Sequence, residues 1–280
     1  MKIGISTVLL DKENLDIVFN KVSNSNYDCI EINAETLPWA KPHIDDKTTT
    51  KQLDRINKLV KEYNLNISSI GAHIDLSCLD VDLRNHNVNY VNKCIDHANY
   101  LNSPIVHILS GELISEDMKN KQTDIFYNSV EKILNYAEKK NIKIAIEAIV
   151  GHVFHSHLDF INIWKKIDSE KIFVNYDPSH FEAQKINLDD TLDLLAKKII
   201  HVHIKDAMGL YPYFQFPPIG KGNIDFTKLI TKLDKFGYSG ALSVEYEAQV
   251  YGWEKEKDEI LKESYSVNNN IVKNLGKKNN

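Results

Sequence analysis

The chain of 280 residues has few cysteines and no long apolar run. Its three cysteines, Cys29, Cys78 and Cys94, are an odd number without a Cys-x-x-Cys spacing, which argues against a disulfide framework and a cysteine zinc site. No apolar run approaches the roughly 18 residues that a transmembrane helix needs, and residues 1–6 do not have the pattern of a signal peptide. We therefore expect a cytoplasmic protein without a membrane partner.

A basic surplus and a phosphate-binding glycine loop are also missing. Acidic residues outnumber basic residues by 39 to 34, so the formal net charge is −5. Proteins that bind nucleic acid usually carry a basic surplus, and we expect no nucleic-acid partner here. No glycine-rich loop precedes a predicted helix, which favours an unphosphorylated substrate.

Short apolar segments alternate with longer amphipathic segments along the chain. Each short segment is rich in Ile or Val and has the length of a buried strand. The predicted strands are Lys2–Ser6, Asp28–Asn33, Ile67–His73, Ile105–Leu109, Ile142–Glu147, Ile172–Asp177, Ile199–Ile204 and Ala241–Glu245. Helical patterns between them include Lys51–Tyr63, Val88–Leu101, Asp124–Lys140, Leu158–Ile167 and Phe226–Phe236. This alternation predicts an α/β fold, a (β/α)8 TIM barrel, with a doubly wound open sheet as the alternative.

The barrel is expected to form a single domain over residues 1–280, because no linker divides the chain. Tyr211–Asn223 is rich in proline, glycine and aromatic residues and is predicted as a long loop after the seventh strand. The segments Asn268–Asn270 and Gly276–Asn280 predict a fraying polar tail from about residue 268.

Polar side chains share one face of several predicted strands. Successive side chains alternate between faces, and the branched apolar residues suit the face that packs on helices, so the polar residues point into the barrel. Four strands in a row end with Glu147, Asp177, His203 and Glu245. Barrel enzymes place their chemistry at this end of the strands. Three carboxylates and one imidazole favour Mn²⁺, Mg²⁺ or Co²⁺ over a structural Zn²⁺, and we predict one divalent ion, preferably Mn²⁺.

Other polar residues at the predicted barrel mouth are candidates for substrate contact. His73 closes the third strand, and His152 and His155 lie in the loop after the fifth strand. Lys205 shares a face with His203, where it would contact a substrate oxygen or form a salt bridge with a neighbouring carboxylate.

The second half of the chain resembles the xylose isomerase-like barrel family of sugar isomerases and epimerases, which also contains inosose dehydratases and hydroxypyruvate isomerases. A His-x-His-x-Lys-Asp segment followed by a Gly-x-Gly-x-x-Asp-Phe segment is fairly specific for this superfamily. The similar segments are Ile146–Glu147, Asp177–His180, His201–Asp206, Gly220–Phe226 and Gly237–Glu245. The first half matches more loosely, through Glu31–Asn33 and Gly71–His73.

This resemblance implies a metal-dependent reaction on a sugar or cyclitol, by proton abstraction next to a carbonyl through an enediolate. It implies that Glu147, Asp177, His203 and Glu245 are the metal ligands, and that the two glutamates carry the protons. His203 rather than His201 matches the ligand position, and His180 matches a residue that contacts substrate oxygens.

Two positions depart from the family's ketose 3-epimerases. A second acid and an arginine hold the sugar there, whereas this chain has Val153 and Gly209. A metal-dependent lyase or dehydratase on a keto-sugar, an inosose or a 3-keto-glycoside, including C-glycoside-type cleavage, is therefore the alternative to the isomerase or epimerase. An endonuclease IV-like DNA-repair enzyme shares the barrel, but the net charge disfavours it. The expected partner is a small sugar or cyclitol, and the sequence leaves open whether the protein forms a homo-oligomer.

Overall fold

In the computed structural model, which describes residues 1–167 and 172–278, eight parallel strands close into a barrel. The ten strands of the described part are β1 (Lys2–Ser6), β2 (Cys29–Asn33), β3 (Asn66–Gly71), β4 (Ile105–Ile108), β5 (Lys143–Glu147), β6 (Ile172–Tyr176), β7 (Ile199–Ile204), β8 (Met208–Leu210), β9 (Tyr213–Gln215) and β10 (Ala241–Val244). The barrel order is β1-β10-β7-β6-β5-β4-β3-β2, and β1 also pairs with β2. The prediction of a (β/α)8 TIM barrel is confirmed, and the open sheet is wrong.

Helices follow the barrel strands, and several begin where a side chain caps the first turn. They are α1 (Leu15–Asn24), α2 (Thr50–Glu62), α3 (Val81–Tyr100), α4 (Lys119–Glu138), α5 (His157–Lys166), α6 (Pro178–Glu182), α7 (Leu188–Leu195), α8 (Phe226–Lys235) and α9 (Lys257–Lys278). Helix α3 begins at Val81 rather than at the predicted Val88, because Oδ1 of Asp80 accepts the N–H of Leu83. None of the helices in the described ranges has the length and apolarity of a membrane span.

The two faces of each barrel strand have different surroundings. In β5, Ile144 and Ile146 are fully buried in the hydrophobic core, whereas Glu147 belongs to a row of polar residues inside the barrel. Strand register continues this row, since Glu147 pairs with Asn175 and Asn175 pairs with His201. The alternation therefore assembles a polar interior layer beneath the barrel mouth.

The structure also differs from the sequence prediction after β7 and near the C-terminus. Part of the predicted loop Tyr211–Asn223 belongs to an antiparallel hairpin, in which β8 pairs with β9. The predicted polar tail is helical as far as Lys278, because Asn268 is fully buried and its Nδ2 donates to the carbonyl oxygen of Ser264. Residues 279–280 of that predicted tail lie outside the described residues.

Candidate metal centre and active site

Four side chains converge at the carboxyl ends of β5, β6, β7 and β10. Glu147, Asp177, His203 and Glu245 each offer a ligand atom, and these atoms all lie within 4.8 Å of one another. Nδ1 of His203 lies 3.5 Å from Oε1 of Glu147 and 3.4 Å from Oε2 of Glu245. It lies 3.8 Å from Oδ2 of Asp177. The structure therefore brings together the four residues that the sequence placed at the strand ends.

Asp177 has a second role that fixes its orientation. It caps α6, and its Oδ1 accepts the N–H of Ser179 at 2.8 Å and the hydroxyl of the same residue at 2.6 Å. These bonds hold one carboxylate oxygen at the helix start and leave Oδ2 facing the site.

The donor set fits a divalent cation. Nδ1 of His203 is buried and makes no hydrogen bond, although most buried polar atoms do, and the partner of Oδ2 of Asp177 is an ion pair with Lys205 at 3.0 Å. Both atoms belong to the four-residue cluster, whose carboxylates place three negative charges in a small volume. Oxygen-rich donors with one imidazole suit Mn²⁺, Mg²⁺ or Co²⁺.

Lys205 is buried beside this cluster and supplies positive charge. Its Nζ lies 2.5 Å from Oε2 of Glu245, 3.0 Å from Oδ2 of Asp177 and 3.4 Å from Oε2 of Glu247. It also lies 3.3 Å from Nε2 of His180. The salt bridge that the sequence offered as an alternative for Lys205 is therefore present, and it involves three carboxylates.

The close charges shift the pKa values of the cluster strongly. Burial alone lowers the pKa of His203, but Glu245, Glu31 and Glu147 offset this effect and raise the pKa well above its usual range. Burial alone raises the pKa of Glu147, but His203 and His180 bring it well below its usual range. Without a metal ion, the carboxylates therefore keep His203 protonated, and a divalent cation held by these residues would replace the Nδ1 proton.

His180 stands at the edge of the cluster on α6. Its Nε2 lies 3.5 Å from Oε1 of Glu147 and 3.6 Å from Oδ2 of Asp177, and its buried Nδ1 makes no hydrogen bond. The ring meets Phe216 edge to face, with centroids 5.3 Å apart. The predicted substrate residue thus contacts two of the predicted ligands.

His73 lies just after β3 and contacts the four-residue cluster through Glu147. Its Nε2 lies 3.4 Å from Oε2 of Glu147 and 2.7 Å from Nδ1 of His107, and its Nδ1 lies 3.3 Å from Oε2 of Glu35. Burial alone lowers the pKa of His73, but Glu35 and Glu147 raise it to about 9.

The two predicted histidines of the loop after β5 have different environments. His152 is half-buried, its Nδ1 makes no hydrogen bond, and burial lowers its pKa to about 3. The charges of His180, His73 and Glu147 also act on it, which places it near the site. Nδ1 of His155 instead donates to the carbonyl oxygen of His152 at 2.9 Å. This bond orients the loop that carries both histidines.

A layer of buried polar residues lies beneath the cluster. Nδ1 of His201 donates to Oδ1 of Asn175 at 3.0 Å, and its Nε2 accepts the hydroxyl of Ser69 at 3.0 Å. Nδ2 of Asn175 donates to Oε2 of Glu147 at 2.8 Å, which fixes that carboxylate. His201 is therefore a residue of this lower layer, as the resemblance implied.

The Gly-x-Gly segment after β7 is held by Asp206. Oδ2 of this buried carboxylate accepts the N–H groups of Gly220 and Gly222, both at 2.9 Å. Oδ1 accepts the N–H groups of Ala207 and Ile224. A Cβ at position 222 would lie 2.3 Å from Oδ1, so the close approach requires glycine. The contacts between Asp206 and this segment thus stabilise the loop at the barrel mouth.

Sequence reasoning did not single out Asn175, Glu247 or Glu35 as site residues. Asn175 had a usable signal, because it shares a strand face with Asp177. Glu247 and Glu35 lie in irregular segments after strands, where alternation gives no orientation.

The chain belongs to the xylose isomerase-like TIM barrel family, whose model matches residues 19–266. An uncharacterized protein of Methanocaldococcus jannaschii is 27% identical over 285 residues, which cover 97% of this chain and 92% of that protein. A 2-oxo-tetronate isomerase of Haemophilus influenzae is 26% identical over 163 residues, 56% of this chain and 60% of the isomerase.

Solved structures share the whole fold. A crystal structure of a D-tagatose 3-epimerase-like protein has a TM-score of 0.84 and 23% identity, with 100% of both chains covered. A structure of the IolI protein with a zinc atom has a TM-score of 0.82 and 18% identity, and covers 98% of this chain and 99% of that chain. The family resemblance expected from the sequence is confirmed, and these structural likenesses establish the fold.

Proposed function

We propose that this protein is a divalent-metal-dependent isomerase or epimerase that acts on an unphosphorylated sugar or cyclitol next to its carbonyl group. The observation that carries the proposal is the position of Nδ1 of His203 between the carboxylates of Glu147 and Glu245, at 3.5 and 3.4 Å. Two carboxylates beside one cation site are the parts that proton transfer at an activated carbon needs.

One divalent ion per chain, Mn²⁺ in our proposal and otherwise Mg²⁺ or Co²⁺, would be held by Glu147, Asp177, His203 and Glu245. When bound, such an ion supplies Lewis-acid stabilisation for negative charge that develops on substrate oxygen. Nδ1 of His203, which makes no hydrogen bond and faces three carboxylates, supports this assignment.

Glu147 and Glu245 are the proposed proton carriers. Asn175 fixes Glu147 from below, and Lys205 holds Glu245 from the side, so each carboxylate has a fixed oxygen and a defined orientation. One removes the proton next to the carbonyl, and the other returns it. Return to the opposite face of the same carbon gives epimerisation, and return to the neighbouring carbon gives isomerisation.

The proposed substrate contacts are His180, Lys205, His73, His152 and His155. Lys205 lies 2.5 Å from Glu245, and His73 and His180 lie 3.4 and 3.5 Å from Glu147, which supports a role for these residues in binding substrate oxygens. The chain has two arginines, and both are engaged elsewhere, since Arg55 pairs with Asp16 and Arg84 donates to the carbonyl oxygen of Cys78. This supports a substrate without a phosphate group.

The names of the similar proteins agree with this reaction class. A 2-oxo-tetronate isomerase and a D-tagatose 3-epimerase-like protein are both named for rearrangement of a sugar-type molecule. The IolI structure with a zinc atom supports a metal site in such a barrel. We also keep a cytoplasmic location as part of the proposal.

A lyase or dehydratase on a keto-sugar, an inosose or a 3-keto-glycoside is the second candidate. His152 favours it, because its Nδ1 has no hydrogen-bond partner and burial keeps the imidazole neutral, so that it would form a hydrogen bond with a leaving oxygen. The glutamate that removes the proton next to the carbonyl would then return it to that oxygen, so that the β-hydroxyl leaves as water or the β-aglycone leaves protonated.

A screen in deuterium oxide separates the two candidates. Protein loaded with Mn²⁺ is incubated with ketoses, inososes and 3-keto-glycosides, and NMR follows the product stereochemistry and the deuterium next to the carbonyl. An isomer or epimer with deuterium supports the first candidate, and loss of water or aglycone supports the second. If fully loaded protein leaves every substrate class unchanged and undeuterated, the proposal is wrong. A salt titration of DNA binding tests the alternative that the protein is an endonuclease IV-like enzyme.

A further inference from the structure

Glu31 is buried in the barrel interior below the four-residue cluster. It lies in β2, and its residue is 2% exposed. Three imidazoles surround its carboxylate. Oε2 lies 3.1 Å from Nε2 of His203 and 3.4 Å from Nε2 of His201, and Oε1 lies 3.4 Å from Nε2 of His107. A carboxylate in such a position needs hydrogen-bond donors.

Of the three imidazoles, His203 makes the shortest contact with Glu31. Its Nε2 makes a hydrogen bond with Oε2 of Glu31 at 3.1 Å. Nε2 of His201 instead accepts the hydroxyl of Ser69, and Nε2 of His107 makes no hydrogen bond.

The two nitrogens of His203 thus face different groups. Nε2 faces Glu31 at 3.1 Å and, at 3.4 Å, Nδ2 of Asn175, whose shorter bond goes to Glu147 at 2.8 Å. Nδ1 faces Glu147, Asp177 and Glu245 and makes no hydrogen bond. A neutral imidazole carries one N–H. With the proton on Nε2, it donates to Glu31, and the Nδ1 lone pair points at the cluster. With the proton on Nδ1, the Nε2 lone pair would lie 3.1 Å from a buried carboxylate oxygen, which is unfavourable. The Nε2 lone pair of His201 lies farther from that oxygen, at 3.4 Å, and accepts the Ser69 hydroxyl.

We infer that Glu31 is a positioning residue, whose carboxylate accepts the Nε2 proton of His203 and so keeps Nδ1 available for the divalent ion. Carboxylate partners of metal-binding histidines have this effect on tautomer and ring orientation. The inference rests on the metal site of the proposed function. It assigns Glu31 no contact with substrate or metal.

The surroundings also argue against a second metal ion at Glu31. Nδ1 of His201 is bonded to Asn175, and Nδ1 of His107 is bonded to Nε2 of His73. An ion among Glu31, His107 and His201 would have to displace the Ser69 hydroxyl from Nε2 of His201. A second ion is therefore an outcome that the experiment must detect.

The test is a Co²⁺ titration of the wild-type protein, Glu31→Gln and Ser69→Ala, followed by the visible absorption of Co²⁺ and by elemental analysis. Glu31→Gln keeps the side-chain size but removes the charge, and its Kd for Co²⁺ should rise by about 10- to 100-fold. Ser69→Ala is the matched control, because it removes a buried polar group of the same layer that does not touch His203. Its affinity should stay that of the wild type. Far-UV circular dichroism and melting of the metal-free proteins verify folding.

A measurement on the wild type keeps the inference testable if Glu31→Gln does not fold. In the Zn²⁺-loaded protein with ¹⁵N-labelled histidine, NMR should show His203 with its proton on Nε2 and with Nδ1 bound to the ion. A proton on Nδ1 overturns the inference.

The remaining outcomes separate the inference from the proposed function. If the wild type binds no ion, the proposed metal site fails and the inference fails with it. If the wild type binds one ion and Glu31→Gln binds it equally well, the role of Glu31 alone is overturned. Two ions per chain, with one lost in Glu31→Gln, would make Glu31 a ligand and overturn the positioning role.

Discussion

Nζ of Lys205 lies 2.5 Å from Oε2 of Glu245, so the barrel mouth contains a buried ion pair beside the proposed metal site. The Lys205 side chain is 4% exposed, and that of Glu245 is 10% exposed. Burial alone lowers the pKa of Lys205, but Asp177, Glu245 and Glu247 raise it well above its usual range, so the ammonium stays charged. In the metal-free protein this lysine is a close counter-charge for carboxylates that would otherwise repel one another.

Lys205→Met removes this charge and keeps most of the side-chain volume. Loss of one partner of a buried ion pair typically costs about 3–5 kcal/mol, so the metal-free variant should have a clearly lower free energy of unfolding. Mn²⁺ should stabilise the variant more than the wild type, because the ion compensates the carboxylates that the lysine leaves unpaired. Chemical denaturation with and without Mn²⁺ measures both effects. Equal stabilisation of the two proteins by Mn²⁺ would contradict this description of the charges.

His180→Ala tests whether His180 binds substrate rather than metal. Its Nε2 lies at hydrogen-bonding distance from Lys205, and the proposal places a substrate oxygen near both residues. The variant should lose about tenfold or more in kcat/KM, the size of one hydrogen bond to a charged group. Metal content should stay near one ion per chain.

His86→Ala serves as the control for that experiment, because His86 is an exposed residue on α3. It should leave both kcat/KM and metal content unchanged. Loss of metal together with activity in His180→Ala would place His180 among the ligands.

Glu245→Gln separates the proton carrier from the metal ligand. Glutamine keeps the shape and one ligating oxygen but cannot accept the proton. Removal of a general base typically costs about 10²–10⁴ in rate, so turnover should fall steeply while at least part of the metal remains. Solvent deuterium that still enters the substrate would make Glu147 the base and Glu245 the acid. If exchange stops as well, Glu245 removes the first proton. Turnover near that of the wild type would exclude both roles.

Asp206→Asn tests whether the hydrogen bonds to Asp206 stabilise the loop after β7. Asp206 accepts four backbone N–H groups, and an amide directs its own N–H groups at some of these donors. Each buried donor without a partner costs about 1–3 kcal/mol, so the variant should lose about 2 kcal/mol or more of stability. Asp225→Asn is the matched control in the same loop, since asparagine is an equally good N-cap for α8. If Asp206→Asn is as stable as this control, the hydrogen bonds to Asp206 do not contribute to stability.

The sequence was informative wherever strand periodicity fixes an orientation. Glu147, His203 and Glu245 were found because each lies on the inward face at the end of an apolar strand, and closure of the barrel brings such ends together. Periodicity does not say which atom of a side chain meets which neighbour. The contacts of Lys205 and the two environments of the His203 ring therefore came only from the structure.

Segments outside the strands were predicted less well, for local reasons. The α3 start depended on the cap by Asp80, and the hairpin depended on pairing between β8 and β9. The helical C-terminal segment depended on burial of Asn268, whose polar side chain had indicated a tail. In each case a tertiary or capping contact outweighed the composition of the segment.

The central claim is that Glu147, Asp177, His203 and Glu245 together hold one catalytic divalent ion. The most direct measurement is anomalous diffraction at the manganese edge from crystals of the protein loaded with Mn²⁺. We expect one strong peak per chain among these four side chains, next to Nδ1 of His203 and Oδ2 of Asp177. Chelation should remove the peak and the activity together. Fully loaded, active crystals without a peak there, or chelated protein that remains active, would show that these residues hold no catalytic ion.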